Sequence, residues 1–176
     1  LLEHAWNQII VLFIMDSGTL FHARTDFLAS SIATLGPLGR LPKAPGSWGS
    51  LGAVLAAPWL FLPFSTPIRV LILLLVLTSG TWAAGRMEKL LNRKDPGCVV
   101  VDELCGQWLT FLPFASLGHW QLVAGFALFR IFDIFKPWPV RLAEQRIHGG
   151  LGVMLDDCVA ALYAALALWA VISFCS

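Results

Sequence analysis

Long apolar runs separated by short charged or Gly/Pro-rich segments organise this chain. Four runs stand out, Trp48 to Phe64, Ile68 to Ala84, Trp120 to Phe132 and Leu151 to Phe174, and a weaker one covers Leu104 to Phe114. Each reads as a helix. Several are shorter than the roughly 20 residues that cross a bilayer core, so the pattern predicts tilted or partly re-entrant helices. The expected fold is all-α: a compact multi-helix integral membrane protein with short or re-entrant transmembrane helices. Its 176 residues suit a single domain over 1–176, with 1–40 as an N-terminal lead-in and 41–176 as the core.

Composition supports the membrane reading. Hydrophobic residues make up 57% and charged residues 13% of the chain, and mean hydropathy is +0.75, too high for an ordinary water-soluble core and coat. A net charge of +1 argues against broad attraction to nucleic acid, and no recognition motif for it occurs. Cys98, Cys105, Cys158 and Cys175 lack metal-ligand spacing, which argues against a structural zinc and leaves a disulfide scaffold unsupported; they read as small apolar residues. Leu1 to Ile14 reads as an amphipathic lead-in or as a tract preceding Met15, and Glu3 sits where a signal peptide would carry positive charge.

Threading the runs alternately through a bilayer sorts the basic residues. Arg40 and Lys43, then Arg86, Lys89, Arg93 and Lys94, then Arg130, Lys136, Arg141 and Arg146 fall on one side. The opposite loops, near Pro63 to Pro67 and Pro113 to His119, are almost free of them, with Arg69 the exception. The positive-inside rule makes the charged side cytoplasmic. Asp102 and Glu103 begin one run, Asp133 ends the next, and Asp156 and Asp157 begin the last, so all five carboxylates are expected on that cytoplasmic face.

Such a gathering has a cost. Two unit charges about 4 Å apart repel by about 4 kcal/mol at an effective dielectric of about 20. A divalent cation resolves the repulsion, and an all-oxygen set of Asp and Glu without paired His or Cys suits Mg²⁺, which keeps water or substrate phosphate in its shell. Taken alone, Asp102-Glu103 and Asp156-Asp157 also read as helix-dipole partners, worth about 0.3–1 kcal/mol each. Arg130, Asp133 and Lys136 recur in steps of three on a helix that Pro137 ends. Charge pairing alone accounts for such a triplet, but Arg141 and the Asp pair follow closely.

The turn Pro45 to Ser50 offers backbone N–H groups and the Ser47 and Ser50 hydroxyls to a phosphate, or else is an ordinary Pro-Gly turn with a Ser cap. His148, beside Gly149 and Gly150, reads either as a contact to the lipid headgroup or, as is usual for a lone interfacial histidine, as structural.

Three blocks together resemble the phosphatidylglycerophosphatase A family of small membrane lipid phosphatases: Leu41 to Leu51 (LPKAPGSWGSL), Val101 to Trp108 (VDELCGQW), and Phe129 to Asp157 with its FDIFKPWPVR and GGLGVMLDD cores. Leu41 stands where a small polar residue is expected, and Glu144 where relatives often have Asp. The resemblance implies Mg²⁺-dependent hydrolysis of phosphatidylglycerol phosphate to phosphatidylglycerol and inorganic phosphate, at a bacterial inner membrane, by a multi-pass protein whose active site faces the cytoplasm. Asp102, Glu103, Asp133, Asp156 and Asp157 are then expected to supply the metal ligands and the catalytic carboxylate. Arg130, Lys136, Arg141, Ser47 and Ser50 are expected to bind the substrate phosphate.

Two other readings compete. Enzymes that join alcohols to CDP-lipids also place acids and Mg²⁺ at a membrane surface, but the chain lacks their long-spaced Asp series. A small transporter or structural membrane subunit would place its acids near the bilayer midplane, whereas these occur at the ends of runs.

Overall fold

The computed structural model describes residues 23–138 and 147–175, so Leu1 to Ile14, Arg141, Glu144 and Arg146 lie outside the described residues. The described residues are all-α. Six helices follow in order: α1 (23–33), α2 (Pro45–Leu60), α3 (Thr66–Leu91), α4 (Val101–Phe111), α5 (His119–Phe135) and α6 (Gly150–Cys175), with a 3-10 turn at Leu38–Arg40.

Each apolar run became a helix, with ends moved by local chemistry. α2 starts at Pro45, whose fixed φ suits a first helical position. α3 runs on past Ala84 through Arg86 and Lys89, and stops where Asn92 turns left-handed at φ 46°. α4 starts at Val101, so Asp102 and Glu103 occupy its first turn, where the helix dipole favours them. α5 ends where Lys136 turns left-handed at φ 43°, just before Pro137.

Helix length separates the elements into two kinds. α3 and α6 have 26 residues each and extend about 39 Å at about 1.5 Å per residue, more than the roughly 30 Å of a bilayer core. Only 28% of the most apolar stretch of each is buried within the protein, unlike the central helix of a water-soluble domain. Leu71 and Leu75 on α3 and Leu166 and Trp169 on α6 point outward, each more than half exposed. These two helices are long and apolar enough to cross a membrane, and their bare apolar faces fit membrane association. α2, α4 and α5, with 16, 11 and 17 residues, match the expectation of short helices.

The shortest helix is the hub. α4 packs against α2, α3, α5 and α6, and Cys105, Gly106, Gln107, Trp108, Thr110 and Phe111 are all buried. Glycine allows the closest approach, since a Cβ on Gly106 would lie 2.6 Å from the Phe129 ring of α5 and 3.1 Å from the Asp157 carbonyl of α6. Trp108 ties α4 to α2 by donating Nε1–H to the Ala53 carbonyl at 2.9 Å, and its ring stacks on Phe61 at 5.1 Å. The Val100 N–H donates to the Ala33 carbonyl at 2.8 Å, joining α1 to the start of α4.

Arg69, the exception to the expected sorting of bases, has a structural explanation. It is 3% exposed, and its guanidinium donates to the carbonyls of Phe64 at 2.8 Å, Phe114 at 2.5 Å, Ala115 at 3.0 Å and Leu62. It therefore binds the loops after α2 and α4 together, at the end of α4 opposite Asp102. Removing it leaves these part-buried carbonyls without their donor. Arg69→Ala is expected to cost about 2–4 kcal/mol, read as a lower unfolding midpoint in detergent; an unchanged midpoint would contradict the clamp.

Candidate active site

Three helices deliver acids to one place. α4 brings Asp102 and Glu103 from its first turn, α5 brings Asp133 from its last turn, and α6 brings Asp156 and Asp157. All five line a cavity of about 280 Å³ together with Arg130 and Lys136. The expected gathering of these carboxylates is therefore present in the fold, although they come from segments up to 55 positions apart in the chain.

Within the cavity the acids divide by partner. Asp133 Oδ2 accepts from Arg130 Nη1 at 2.5 Å, the i,i+3 contact that their spacing implies. Lys136 reaches across to α6, where its Nζ donates to Asp156 Oδ2 at 2.8 Å. Its left-handed backbone ends α5 and turns the chain at this point. The other three carboxylates converge: one oxygen each from Asp102, Glu103 and Asp157 lies within 4.8 Å of the others. Arg130 Nη1 approaches Glu103 Oε1 at 3.9 Å, leaving this cluster with a base at its edge.

Burial makes the cluster electrostatically demanding. Asp102 and Asp157 are 7% and 4% exposed. Loss of water, then the neighbouring Glu103, holds the Asp102 carboxyl well above its ordinary range. Loss of water likewise pushes Glu103 up to about 8, although its hydrogen bond with Asp102 and the charge of Arg130 act in the opposite direction. Glu103 Oε2 and Asp157 Oδ2 are buried and have no hydrogen-bond partner. Orphaned carboxylate oxygens that converge within reach of one ion are a fit for a hard cation, and the donor set is entirely oxygen. The cluster could thus bind a metal.

The two adjacent acid pairs share a local device. Asp102 Oδ1 accepts from the Glu103 N–H at 3.1 Å, and Asp156 Oδ1 accepts from the Asp157 N–H at 3.0 Å. In each pair one oxygen of the first acid is thereby fixed, which orients the carboxylate. Their places in their helices differ, however. α6 begins at Gly150 and has no acid in its first turn, so Asp156 and Asp157 lie about two turns inside, beyond the reach of the helix-dipole explanation.

The expected phosphate residues fall into three groups. Arg130 and Lys136 line the cavity. Ser50 is fully buried behind it, donating Oγ–H to the Gly46 carbonyl at 3.0 Å and accepting from Arg130 Nη1 at 3.4 Å. Ser47 is half-buried and does not line the cavity, and neither serine caps α2, whose N-cap is Ala44. Arg141 lies outside the described residues. His148 is exposed. Gly46 was not singled out, yet it borders the cavity, and a Cβ there would overlap Glu103 Oε1.

Asp95 also escaped sequence reasoning. It sits in the loop between α3 and α4 at φ 44°, its N–H donating to Glu88 Oε1 at 3.0 Å, and it lines the same cavity. A signal was available: it is an acid before a proline, in a loop assigned to the same side as the others.

Comparison with known proteins follows the same direction. The family model of Phosphatidylglycerophosphatase A matches residues 31–172. A Bacteroides thetaiotaomicron protein provisionally named phosphatidylinositol-3-phosphatase is 40% identical over 158 residues, 84% of this chain and 98% of that protein. Proteins named Phosphatidylglycerophosphatase A are similar too: that of Escherichia coli is 37% identical, covering 72% of this chain and 73% of its own length, and that of Haemophilus influenzae is 32% identical, covering 76% and 82%. No solved structure matches the chain.

Gly46→Ala tests the packing at the cluster, because the added methyl must displace Glu103. If the cluster holds a divalent cation, the expected result is about tenfold weaker cation binding, equivalent to about 1.4 kcal/mol, read with Mg²⁺ as the probe ion as a smaller cation-induced rise in melting temperature, with the metal-free melting temperature little changed. An undiminished rise would separate Glu103 from cation binding.

Proposed function

This chain belongs to the phosphatidylglycerophosphatase A family of lipid phosphatases, and we propose that it hydrolyses phosphatidylglycerol phosphate to phosphatidylglycerol and inorganic phosphate. The reaction would take place at the cytoplasmic face of a bacterial inner membrane, a reading that the positive-inside pattern of the basic residues supports. The observation that carries this reading is the convergence of Asp102, Glu103 and Asp157, with buried unpartnered oxygens on Glu103 and Asp157, beside Arg130 and Lys136 in one cavity.

Asp102, Glu103 and Asp157 would hold Mg²⁺. When bound, the ion supplies Lewis-acid polarisation of the phosphoryl group and offsets the repulsion among the acids. Arg130 and Lys136, with Arg141, hold the phosphate oxygens and stabilise charge as the ester bond breaks, which is most of what phosphoryl transfer requires of a protein. Asp133 and Asp156 orient these bases through their ion pairs. Ser50 supports Arg130 from below through its hydroxyl.

In the proposed step water attacks phosphorus and gives its proton to a carboxylate of the cluster. The bond from phosphorus to the glycerol oxygen breaks, its electron pair leaves with that oxygen, and the oxygen takes up a proton. Atoms and charge balance as water plus monoester gives alcohol plus phosphate. Trapping a phosphorylated aspartate would replace this direct attack with a two-step route.

A second substrate is favoured by one comparison. The name of the Bacteroides relative points to phosphatidylinositol 3-phosphate, which shares a monoester phosphate on a polyol joined through a phosphodiester to diacylglycerol. Purified protein in detergent micelles should therefore be assayed on both lipids, with Mg²⁺ and with EDTA. Expected is Mg²⁺-dependent phosphate release, faster from phosphatidylglycerol phosphate. Faster release from the inositol lipid would reassign the substrate, and no release from either by folded protein would end the phosphatase reading of this chain.

Asp133→Asn and Asp156→Asn are each expected to lower kcat at least about 100-fold, since each leaves a base misdirected at the reacting phosphate. Near-normal turnover by either variant would remove that residue from the site.

A further inference from the structure

The acid cavity does not end at the acids. A second cavity of about 230 Å³ shares Asp95 and Asp156 with it and is walled by Lys94, Gly149 and Gly152. A third, of about 420 Å³, meets the second at Gly149 and follows α3 past Lys89 and Arg86 to Trp82 and Thr81. The second and third lie along the junction of α3 and α6, and the second adjoins the acid cavity at Asp95 and Asp156, so that the three line up as a groove. Glycine keeps this junction tight and its wall low: Gly149 adopts φ 75°, and Gly150 lies so near the α3 backbone at Thr81 and Gly85 that no Cβ would fit.

Charge is ordered along the groove. Acids occupy its first part, where Asp156 is paired with Lys136. In the middle, Lys94 and the exposed Lys89 border the cavities on either side of Gly149, and Lys89 has no ion pair among the described residues. The neighbouring charges are engaged elsewhere: Arg86 Nε donates to Asp26 at 2.6 Å, and Glu88 Oε1 accepts from the Asp95 N–H. From Lys89 to Trp82 the groove descends about 10 Å along α3, at about 1.5 Å per residue. There it reaches the apolar face of that helix, with the Trp82 ring 46% exposed.

This order of acid cavity, lysines and apolar aromatic surface matches a lipid with a terminal monoester phosphate, an inner phosphodiester and acyl chains. We propose that the groove binds the inner part of the substrate, with Lys89 and Lys94 pairing with the phosphodiester and the α3 face near Trp82 receiving the first acyl carbons. The inference rests on the phosphatase reading and adds a source of selectivity to it. Lipids carrying a second, inner phosphate are preferred over phosphatidic acid, whose phosphate is a monoester borne directly on diacylglycerol.

The test compares full-length protein in detergent micelles on phosphatidylglycerol phosphate and phosphatidic acid, reporting the ratio of the two kcat/KM values. Wild type should favour the bisphosphate lipid. Lys89→Ala and Lys94→Ala should each lower the ratio about fivefold to tenfold, mainly through KM for the bisphosphate lipid, the scale of losing one charge-assisted contact to a phosphate. Lys94→Arg should keep it, because charge is retained. A wild type with no preference, or a ratio unchanged in both alanine variants while Mg²⁺-dependent release persists, overturns the groove assignment and leaves the phosphatase reading standing. A wild type inactive on both lipids removes both.

Discussion

Mutual repulsion among carboxylates is the constraint around which this molecule is arranged. Asp95, Asp102, Glu103, Asp133, Asp156 and Asp157 share one small cavity, and several are withdrawn from water, where like charges interact far more strongly than in bulk solvent. Such a cluster persists only with compensation. Arg130 and Lys136 supply part of it by binding Asp133 and Asp156. Glu103 and Asp157, which converge with Asp102, each keep a buried oxygen that the protein does not satisfy, which is the condition a cation or a proton relieves. Burial first, and then the charge of Asp157, push Glu103 upward.

The helix that carries the constraint has to be fixed from all sides, and α4 is. Only eleven residues long, it cannot sustain itself by its own hydrogen bonds, since isolated helices of that length are marginal. Its neighbours hold it: Trp108 on α2, Gly106 against α5 and α6, and Val100 to α1. Gly106 is decisive because it lets the backbones of α4 and α6 come close enough to face their acid pairs toward each other. Arg69 fixes the far end of the same helix by gathering loop carbonyls. The position of the acids thus depends on packing remote from them.

Around this polar centre the outer helices present apolar surface, with α3 and α6 long enough to cross a bilayer. A phosphatase of the phosphatidylglycerophosphatase A family acts on a substrate that resides in the membrane, so a polar cavity beside apolar helix faces suits its chemistry. The charged head of the lipid then meets the acids and bases without the acyl chains leaving apolar surroundings. Short helices beneath the cavity make such a mixed site feasible, because their ends bring polar backbone and side chains to the same level.

Local chemistry made much of this legible in the sequence. Apolar runs mark every helix from α2 to α6, since burial against lipid or protein requires them, and charge interrupts them only where water, a partner or a ligand can receive it. The steps of three between Arg130 and Asp133 foretold their ion pair, because an i,i+3 spacing puts both on one helical face. The five acids expected together line one cavity. Helix ends were less accessible: Asp156 and Asp157 appeared to begin α6, and only the turn at Gly149 put them two turns inside it. Which acids share a cluster, which hold a base, and that Asp95 joins them were decided by the tertiary structure, because these depend on how α4, α5 and α6 approach one another. That approach is set by contacts such as Gly106 on Phe129 and Gly46 on Glu103, between residues far apart in the chain, which periodicity and propensity along one segment do not encode.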